Sequence, residues 1–199
     1  MTEALPAKLS ERVKLQWLAV LVLIVSLRNT ACVPTNDVRL VGSDLGDAKA
    51  AEFSLRNQDG QMVTSASLQG KTGVFAFVGS SCGELCTEPA TFHQVQERLR
   101  PEEAGRVRFI LISTDAADTA GSGSDLLRRH ALSGRADYLV GSAETLSAAR
   151  SSLSGGAKNS SVVVVDQAGR PRVALAAEQL TPESLVTDIR LLDSEGLRN

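Results

Sequence analysis

The strongest hydrophobic signal in the sequence is an unbroken apolar run over residues 74–78, which leads directly into a turn that contains two cysteines. A run of this length, rich in β-branched and aromatic residues and bounded by glycines, is typical of a strand buried on both faces. Beyond the turn, apolar residues recur with the spacing of an amphipathic helix: Phe92, Val95 and Leu99. Because proline is tolerated only in the first turn of a helix, Pro89 predicts that this helix begins near Glu88, with Thr87 as its cap.

The same pattern predicts the remaining elements. Short alternating runs on either side of residues 57–60, which end in Asp-Gly, predict a β-hairpin. Further strands are predicted at residues 107–112, 138–140, 161–165 and 172–176. Residues 114–123 are expected to form a loop, and helices are predicted at residues 125–132, at residues 143–153 after a Ser142 cap, and from Pro182 after a Thr181 cap. This order predicts a mixed sheet with helices on both faces.

Composition fits one globular domain with a tail. The chain has 199 residues, of which 43% are hydrophobic and 22% are charged, so it can bury a core without a disulfide scaffold. A formal net charge of -2 argues against a nucleic-acid partner. We interpret the one basic cluster, at residues 128–130, as a solvated helix face.

The N-terminal residues predict export or membrane anchoring. Residues 15–27 are almost wholly apolar and follow a polar segment with a slight positive excess. The stretch is shorter than the roughly 20 residues that span a bilayer comfortably. Small residues precede Cys32, as in a lipoprotein processing site, so Cys32 is a candidate for lipidation. Lipid anchoring, an uncleaved anchor and simple secretion stay open as alternatives.

The order of basic and apolar residues at the N-terminus indicates on which side of the membrane the domain lies. Because basic residues precede the apolar stretch, we expect the domain to be extracytoplasmic, in a bacterial periplasm or on the outer face of the inner membrane. Residues 33–50 are mostly polar and aperiodic, which is typical of a linker. We therefore divide the chain into a signal or anchor segment at 1–32, a linker at 33–50 and a folded domain at 51–194.

Cys82 and Cys86 are the candidate functional residues. Both are expected at or just before a helix N-terminus, where unpaired N–H groups favour the thiolate, which is both nucleophile and metal ligand. If the turn coils as a helix does, their Cα atoms lie about 6 Å apart, within the range of a disulfide. The pair can therefore close a bond or hold a soft metal ion. A purely structural disulfide is usual in an oxidising compartment, although a bridge across so small a loop adds little stability.

Several motifs resemble the Sco/SenC family of thioredoxin-like proteins. They are residues 53–60, residues 68–71, the apolar strand that runs into Cys82 and Cys86, residues 112–115 and residues 163–170. The resemblance covers about residues 50 to 190. It implies an α/β fold of the thioredoxin-like kind, a three-layer sandwich with a mixed central sheet, helices on both faces and an N-terminal β-hairpin. Thioredoxins themselves fit less well, because Ser81 precedes the motif where they have tryptophan.

The resemblance also implies a function. Sco/SenC proteins are membrane-tethered, bind copper through two cysteines and a distant histidine, and assist assembly of the copper site of cytochrome c oxidase. Carried onto this sequence, the metal ligands and redox residues are Cys82 and Cys86, and the partner is an oxidase subunit or another periplasmic thiol protein. By the same resemblance the family's histidine should fall near Lys158, and residues 155–160 contain no histidine.

Neither histidine of the sequence is expected to replace it. His93 lies about 10 Å along the helix from the pair, and His130 belongs to a separate helix. We interpret Met62 as a core or edge residue of the hairpin. Glu84, between the cysteines, is expected to complement the helix N-terminus rather than to act as a general base.

Three hypotheses follow. The first is a Sco-like thiol–disulfide oxidoreductase with transient Cu(I). The second is a copper chaperone with an unrecognised third ligand, and the third is a scaffold for protein contacts whose Cys82–Cys86 disulfide is structural. Because Cu(I) accepts two thiolates while Cu(II) prefers imidazole nitrogen, the pair alone is expected to bind Cu(I). By resemblance to other thioredoxin folds, Cys82 is predicted to be the attacking thiol.

Overall fold

The computed structural model describes residues 39–46, 48–83 and 86–196 of the chain. Its strands are β1 Ser43–Asp44, β2 Ser54–Arg56, β3 Met62–Thr64, β4 Thr72–Phe77, β5 Val107–Ile112, β6 Asp137–Leu139, β7 Val162–Val165 and β8 Pro171–Leu175. Its helices are α1 Thr87–Arg98, α2 Pro101–Ala104, α3 Ala120–Arg129, α4 Ala143–Leu153 and α5 Pro182–Gly196. None of these helices is both long and apolar enough to cross a membrane. The apolar stretch at 15–27 and Cys32 lie outside the described residues.

The fold is built around one mixed six-stranded sheet with strand order β1-β8-β7-β4-β5-β6. Its middle strand is β4, which runs parallel to β5 and antiparallel to β7. All residues of β4 are buried, as its continuous apolar run predicts. Strands β2 and β3 form the separate hairpin, with Leu55 opposite Val63. The Asn57 side chain closes its turn by accepting the N–H groups of Asp59 and Gln61.

Alternation along β4 divides the core into two layers. Val74 and Ala76 face a cluster that includes residues of α1, α3 and α5. Phe75 and Phe77 face a second cluster built from α4 and the hairpin. Because successive strand side chains point to opposite faces, one strand supplies both layers. The three-layer sandwich with helices on both faces and an N-terminal hairpin is confirmed.

Helix α3 begins earlier than the sequence pattern indicated. We expected a loop over residues 114–123 and a helix from residue 125, but the helix starts at Ala120. The Thr119 hydroxyl accepts the Ser122 N–H at 3.2 Å, and the Ser122 hydroxyl accepts the Thr119 N–H at 2.9 Å. This reciprocal capping supports the first turn. Two glycines there, Gly121 and Gly123, led us to expect a loop.

The N-terminal edge of the sheet was also not predicted. Ser43 pairs with Ala174 of β8, and the N–H groups of Val41 and Gly42 donate to the Asp188 carboxylate at 2.7 and 3.0 Å. The strand is only two residues long, too short to show a period. Residues 41–44 therefore belong to the sheet layer, although their composition placed them in the linker.

Candidate functional site

The cysteine turn, residues 78–86, connects β4 to α1. The Val78 N–H donates to the Ile112 carbonyl at 3.0 Å and continues the pairing of β4 with β5. Two backbone hydrogen bonds follow, in which Cys82 N–H donates to Gly79 O and Cys86 N–H donates to Gly83 O, each at 3.1 Å. Glu84 and Leu85 lie outside the described residues, so the role expected for Glu84 stays a prediction.

A disulfide joins Cys82 to Cys86, with Cα atoms 5.9 Å apart. The bond is the one that the spacing allows. Cys86 occupies the N-cap position of α1, so the helix starts one residue before the predicted Glu88, and Thr87 is its first residue rather than its cap. This end of α1 has no capping hydrogen bond from the Cys86 side chain. Its free N–H groups and the positive end of its dipole therefore favour a thiolate when the bond is reduced.

The two sulfurs differ in exposure. Cys86 is buried with 6% of its surface exposed, whereas Cys82 is partly exposed at the edge of the core cluster that contains α1. Thiol–disulfide exchange needs access to the attacking sulfur. The geometry therefore favours Cys82 as the sulfur that a partner reaches first.

A polar cluster that we call the Asp118 network holds the start of the cysteine turn. The Asp118 carboxylate accepts the Ser80 N–H at 2.9 Å, the Ser113 hydroxyl at 2.5 Å and the Tyr138 hydroxyl at 2.6 Å. It also accepts the Ser80 hydroxyl. The oxygen of Tyr138 lies 3.0 Å from the Val78 carbonyl. The network therefore joins the cysteine turn to the C-terminal end of β5, to the N-terminal end of α3 and to β6.

The network favours an ionised Asp118. Burial is the largest single influence and acts to raise the pKa of Asp118, but hydrogen bonds from Ser113, Ser80 and Tyr138 outweigh it, so the pKa lies below its ordinary value. Burial, together with the bond to Asp118, raises the pKa of Tyr138. Tyr138 is thus a neutral donor and Asp118 a charged acceptor.

Sequence reasoning missed Asp118, Ser80 and Tyr138 as site residues. Tyr138 was expected only as part of a strand, and Asp118 fell in the segment that we expected to be a loop. The one available signal was the Asp-Thr pair before the helix, since acidic and hydroxyl residues are typical of helix N-termini. Their convergence on Ser80 depends on tertiary packing, which no local pattern encodes.

The other residues considered as ligands do not gather around the cysteines. His93 lies on α1, His130 follows α3 and Met62 is 51% exposed on β3. In the described part of the chain, no group of three or more His, Cys, Asp or Glu side chains is placed to hold a metal ion. The one described pair of soft donors is Cys82 and Cys86. Two sulfurs fit Cu(I), whereas they lack the nitrogen ligands that Cu(II) prefers.

Lys158 lies exposed in the loop before β7, where the resemblance places a histidine. Val162, the first residue of β7, pairs with Ala76 near the end of β4. The loop that carries Lys158 and the cysteine turn therefore lie at the same end of the paired strands β4 and β7.

Comparison with known proteins supplies a family. The family model described as SCO1/SenC matches residues 42–192. None of the curated proteins matches the chain.

Three solved structures share the fold. BsSco, described as having a disulfide switch and as a member of the Sco family of cytochrome c oxidase assembly proteins, is 23% identical, with 74% of this chain and 96% of that chain covered and a TM-score of 0.61. ScoI of Bradyrhizobium japonicum, solved with copper bound, is 21% identical, with 73% and 99% covered and a TM-score of 0.56. A SCO1/SenC family lipoprotein of Bacillus anthracis is 20% identical, with 73% and 95% covered and a TM-score of 0.60.

Proposed function

Because the chain belongs to the SCO1/SenC family, we propose that it is an extracytoplasmic thiol–disulfide oxidoreductase and Cu(I) carrier that assists assembly of the cytochrome c oxidase copper site. The observation that carries the proposal is the Cys82–Cys86 disulfide at the N-terminus of α1. One sulfur is partly exposed and the other is buried, as a working pair requires. Copper in the Bradyrhizobium relative and the disulfide switch of BsSco support the same function.

The redox step balances with the two cysteines alone. In the reduced protein the Cys82 thiolate attacks a disulfide of the partner, which forms a mixed disulfide and releases one partner thiol. The Cys86 thiolate then attacks the Cys82 sulfur, which closes the Cys82–Cys86 bond and releases the second partner thiol. Two electrons pass to the partner, and a dithiol protein in the same compartment reduces the pair again.

Cu(I) is cargo in this proposal. Only the reduced pair can hold it, because both sulfurs must be thiolates to act as ligands. Oxidation to the disulfide removes both ligands at once. Metal delivery and cysteine reduction are therefore alternative uses of one site, and release of copper is coupled to the redox state of Cys82 and Cys86.

Membrane tethering is part of the proposal. The apolar segment before Cys32 and the Bacillus anthracis lipoprotein relative support an anchor at Cys32, with residues 1–32 as the targeting segment and a linker between it and the folded domain. The intact mass of the protein in the membrane fraction tests this. Loss of residues 1–31 with a lipid mass on Cys32 is expected, and a mass that begins at Met1 or Thr2 would favour an uncleaved anchor.

Cu(I) titration of the reduced full chain tests the metal site. The sequence has three cysteines, so a Cys32→Ser background leaves only the candidate pair. We expect about one Cu(I) per chain in competition with a Cu(I) chelator, and loss of that binding in Cys82→Ser and in Cys86→Ser. Equal binding by the parent chain and these variants would refute the site. A disulfide that never opens under reducing conditions would favour the scaffold hypothesis.

A further inference from the structure

Opposite ends of α3 hold the backbone N–H and the backbone carbonyl of Ser80, a residue shortly before Cys82. Asp118, just before the helix, accepts the Ser80 N–H at 2.9 Å. Arg129, the last residue of the helix, donates through Nη2 to the Ser80 carbonyl at 2.9 Å. Ser80 is two residues from Cys82, so helix α3 fixes where the cysteine turn begins. No residue of α3 carries the thiol chemistry itself.

The position of α3 is in turn fixed by Tyr138. Gly123 packs so closely on the tyrosine ring that an added Cβ would lie 2.4 Å from Tyr138 Cδ1. Tyr138 is fully buried, and its hydroxyl donates to Asp118. The ring therefore sets the position of the helix, while its hydroxyl orients the carboxylate that holds Ser80.

We propose that Asp118 and Tyr138 are positioning residues that set the redox equilibrium of the Cys82–Cys86 pair by holding Ser80. The inference rests on the proposed function only in taking the pair as the working site. Because the network fixes the position of the cysteine turn, it keeps the two sulfurs within bonding range and so favours the disulfide.

Removing the network therefore favours reduction. In Asp118→Asn the charge and one acceptor for the two Ser80 donors are lost. In Tyr138→Phe the ring stays in the core while the hydroxyl is lost. We expect the equilibrium constant for reduction by glutathione to rise about tenfold in Asp118→Asn, which is about 30 mV for a two-electron couple. A smaller rise in the same direction is expected in Tyr138→Phe, because the Asp118 carboxylate can still accept both Ser80 donors.

The test is the glutathione redox equilibrium of the full chain in the Cys32→Ser background, with Asp125→Asn as the matched control. Asp125 lies on the same helix, in an exposed ion pair with Arg128, so its variant has the same charge change away from Ser80. The free energy of unfolding of the oxidised variants is measured alongside, which separates a change in the redox equilibrium from general loosening of the fold.

The outcomes are separable. Equal equilibrium constants in the parent chain, Asp118→Asn and Asp125→Asn would overturn the inference, and so would a rise that the control shares. If Asp118→Asn does not fold, Ser80→Ala and Tyr138→Phe provide the test. Ser80→Ala removes the hydroxyl donor and keeps the peptide N–H. An unchanged redox equilibrium in both variants would overturn the inference. Because each value is a shift from the parent chain, the inference can fail or hold whether or not the parent pair binds Cu(I).

Discussion

Alanine in place of Gly123 tests the packing that supports the cysteine turn. In a helix interior this change normally stabilises, by up to about 1 kcal/mol. Here the added Cβ would lie 2.4 Å from Tyr138 Cδ1 and 2.9 Å from Cγ. Carbon atoms in favourable contact are about 3.5–4.0 Å apart, so α3 or the ring must move by about 1 Å. Tyr138 is fully buried and bonded to Asp118, so it has little room to yield.

Gly123→Ala is therefore expected to destabilise the protein rather than to stabilise it. Overpacking of this kind destabilises by about 1–3 kcal/mol, which offsets the propensity gain and leaves a net loss of up to about 2 kcal/mol. At about 2–4 °C per kcal/mol, the melting temperature should fall by up to roughly 8 °C. Movement of α3 should also loosen both contacts to Ser80 and shift the Cys82–Cys86 equilibrium toward the dithiol.

Gly121 supplies the control in the same helix. A Cβ there would meet only Thr119 Oγ1, at 3.7 Å, which is ordinary contact. Gly121→Ala should therefore leave the redox equilibrium unchanged and stabilise the fold slightly. Urea unfolding of the oxidised proteins, monitored by circular dichroism, measures both free energies of unfolding. Equal or greater stability of Gly123→Ala relative to Gly121→Ala would refute the packing argument.

Three further predictions concern the site and the fold. A mixed-disulfide reagent should trap Cys82 in the Cys86→Ser variant faster than it traps Cys86 in Cys82→Ser, because Cys86 is buried; the reverse order would reassign the attacking thiol. Lys158→His should strengthen Cu(II) binding by the reduced chain and introduce a sulfur-to-copper charge-transfer absorption, whereas Lys158→Gln should not. Arg100 and then Arg190 hold the pKa of Glu103 at about 2, below its ordinary 4.5, so this carboxylate contributes stability above pH 4.5 that is lost as pH falls toward 2. The free energy of unfolding should therefore fall more steeply between pH 5 and pH 3 in the parent chain than in Glu103→Gln, and parallel curves would contradict this.

Much of the fold could be predicted from the sequence because its main elements carry strong local patterns. Strand β5 and helix α4 lie where the pattern placed them, and the hairpin follows its Asp-Gly turn. Helix α3 was misplaced because its first turn is stabilised by Thr119 and Ser122 rather than by an apolar period. Strand β1 was missed because its pairing with β8 is a long-range contact between short segments.

The candidate site divides in the same way. Cys82 and Cys86 could be found from their spacing together with their place between the apolar strand and the helix, since residues one helical turn apart can form a disulfide. The Asp118 network could not, because Ser80, Tyr138 and the pair Ser113 and Asp118 come from three segments that meet only in the folded chain. Nothing in the local sequence of any one of them indicates the others.

Reversible reduction of the Cys82–Cys86 pair is the claim on which the account depends. Equilibration of the full chain in the Cys32→Ser background with defined dithiol and disulfide buffers, followed by alkylation and mass measurement, gives the reduction potential directly. We predict a value above about -300 mV, in the range where cellular dithiols can open and close the bond. A value well below about -300 mV would identify the bond as structural and would contradict the proposed function.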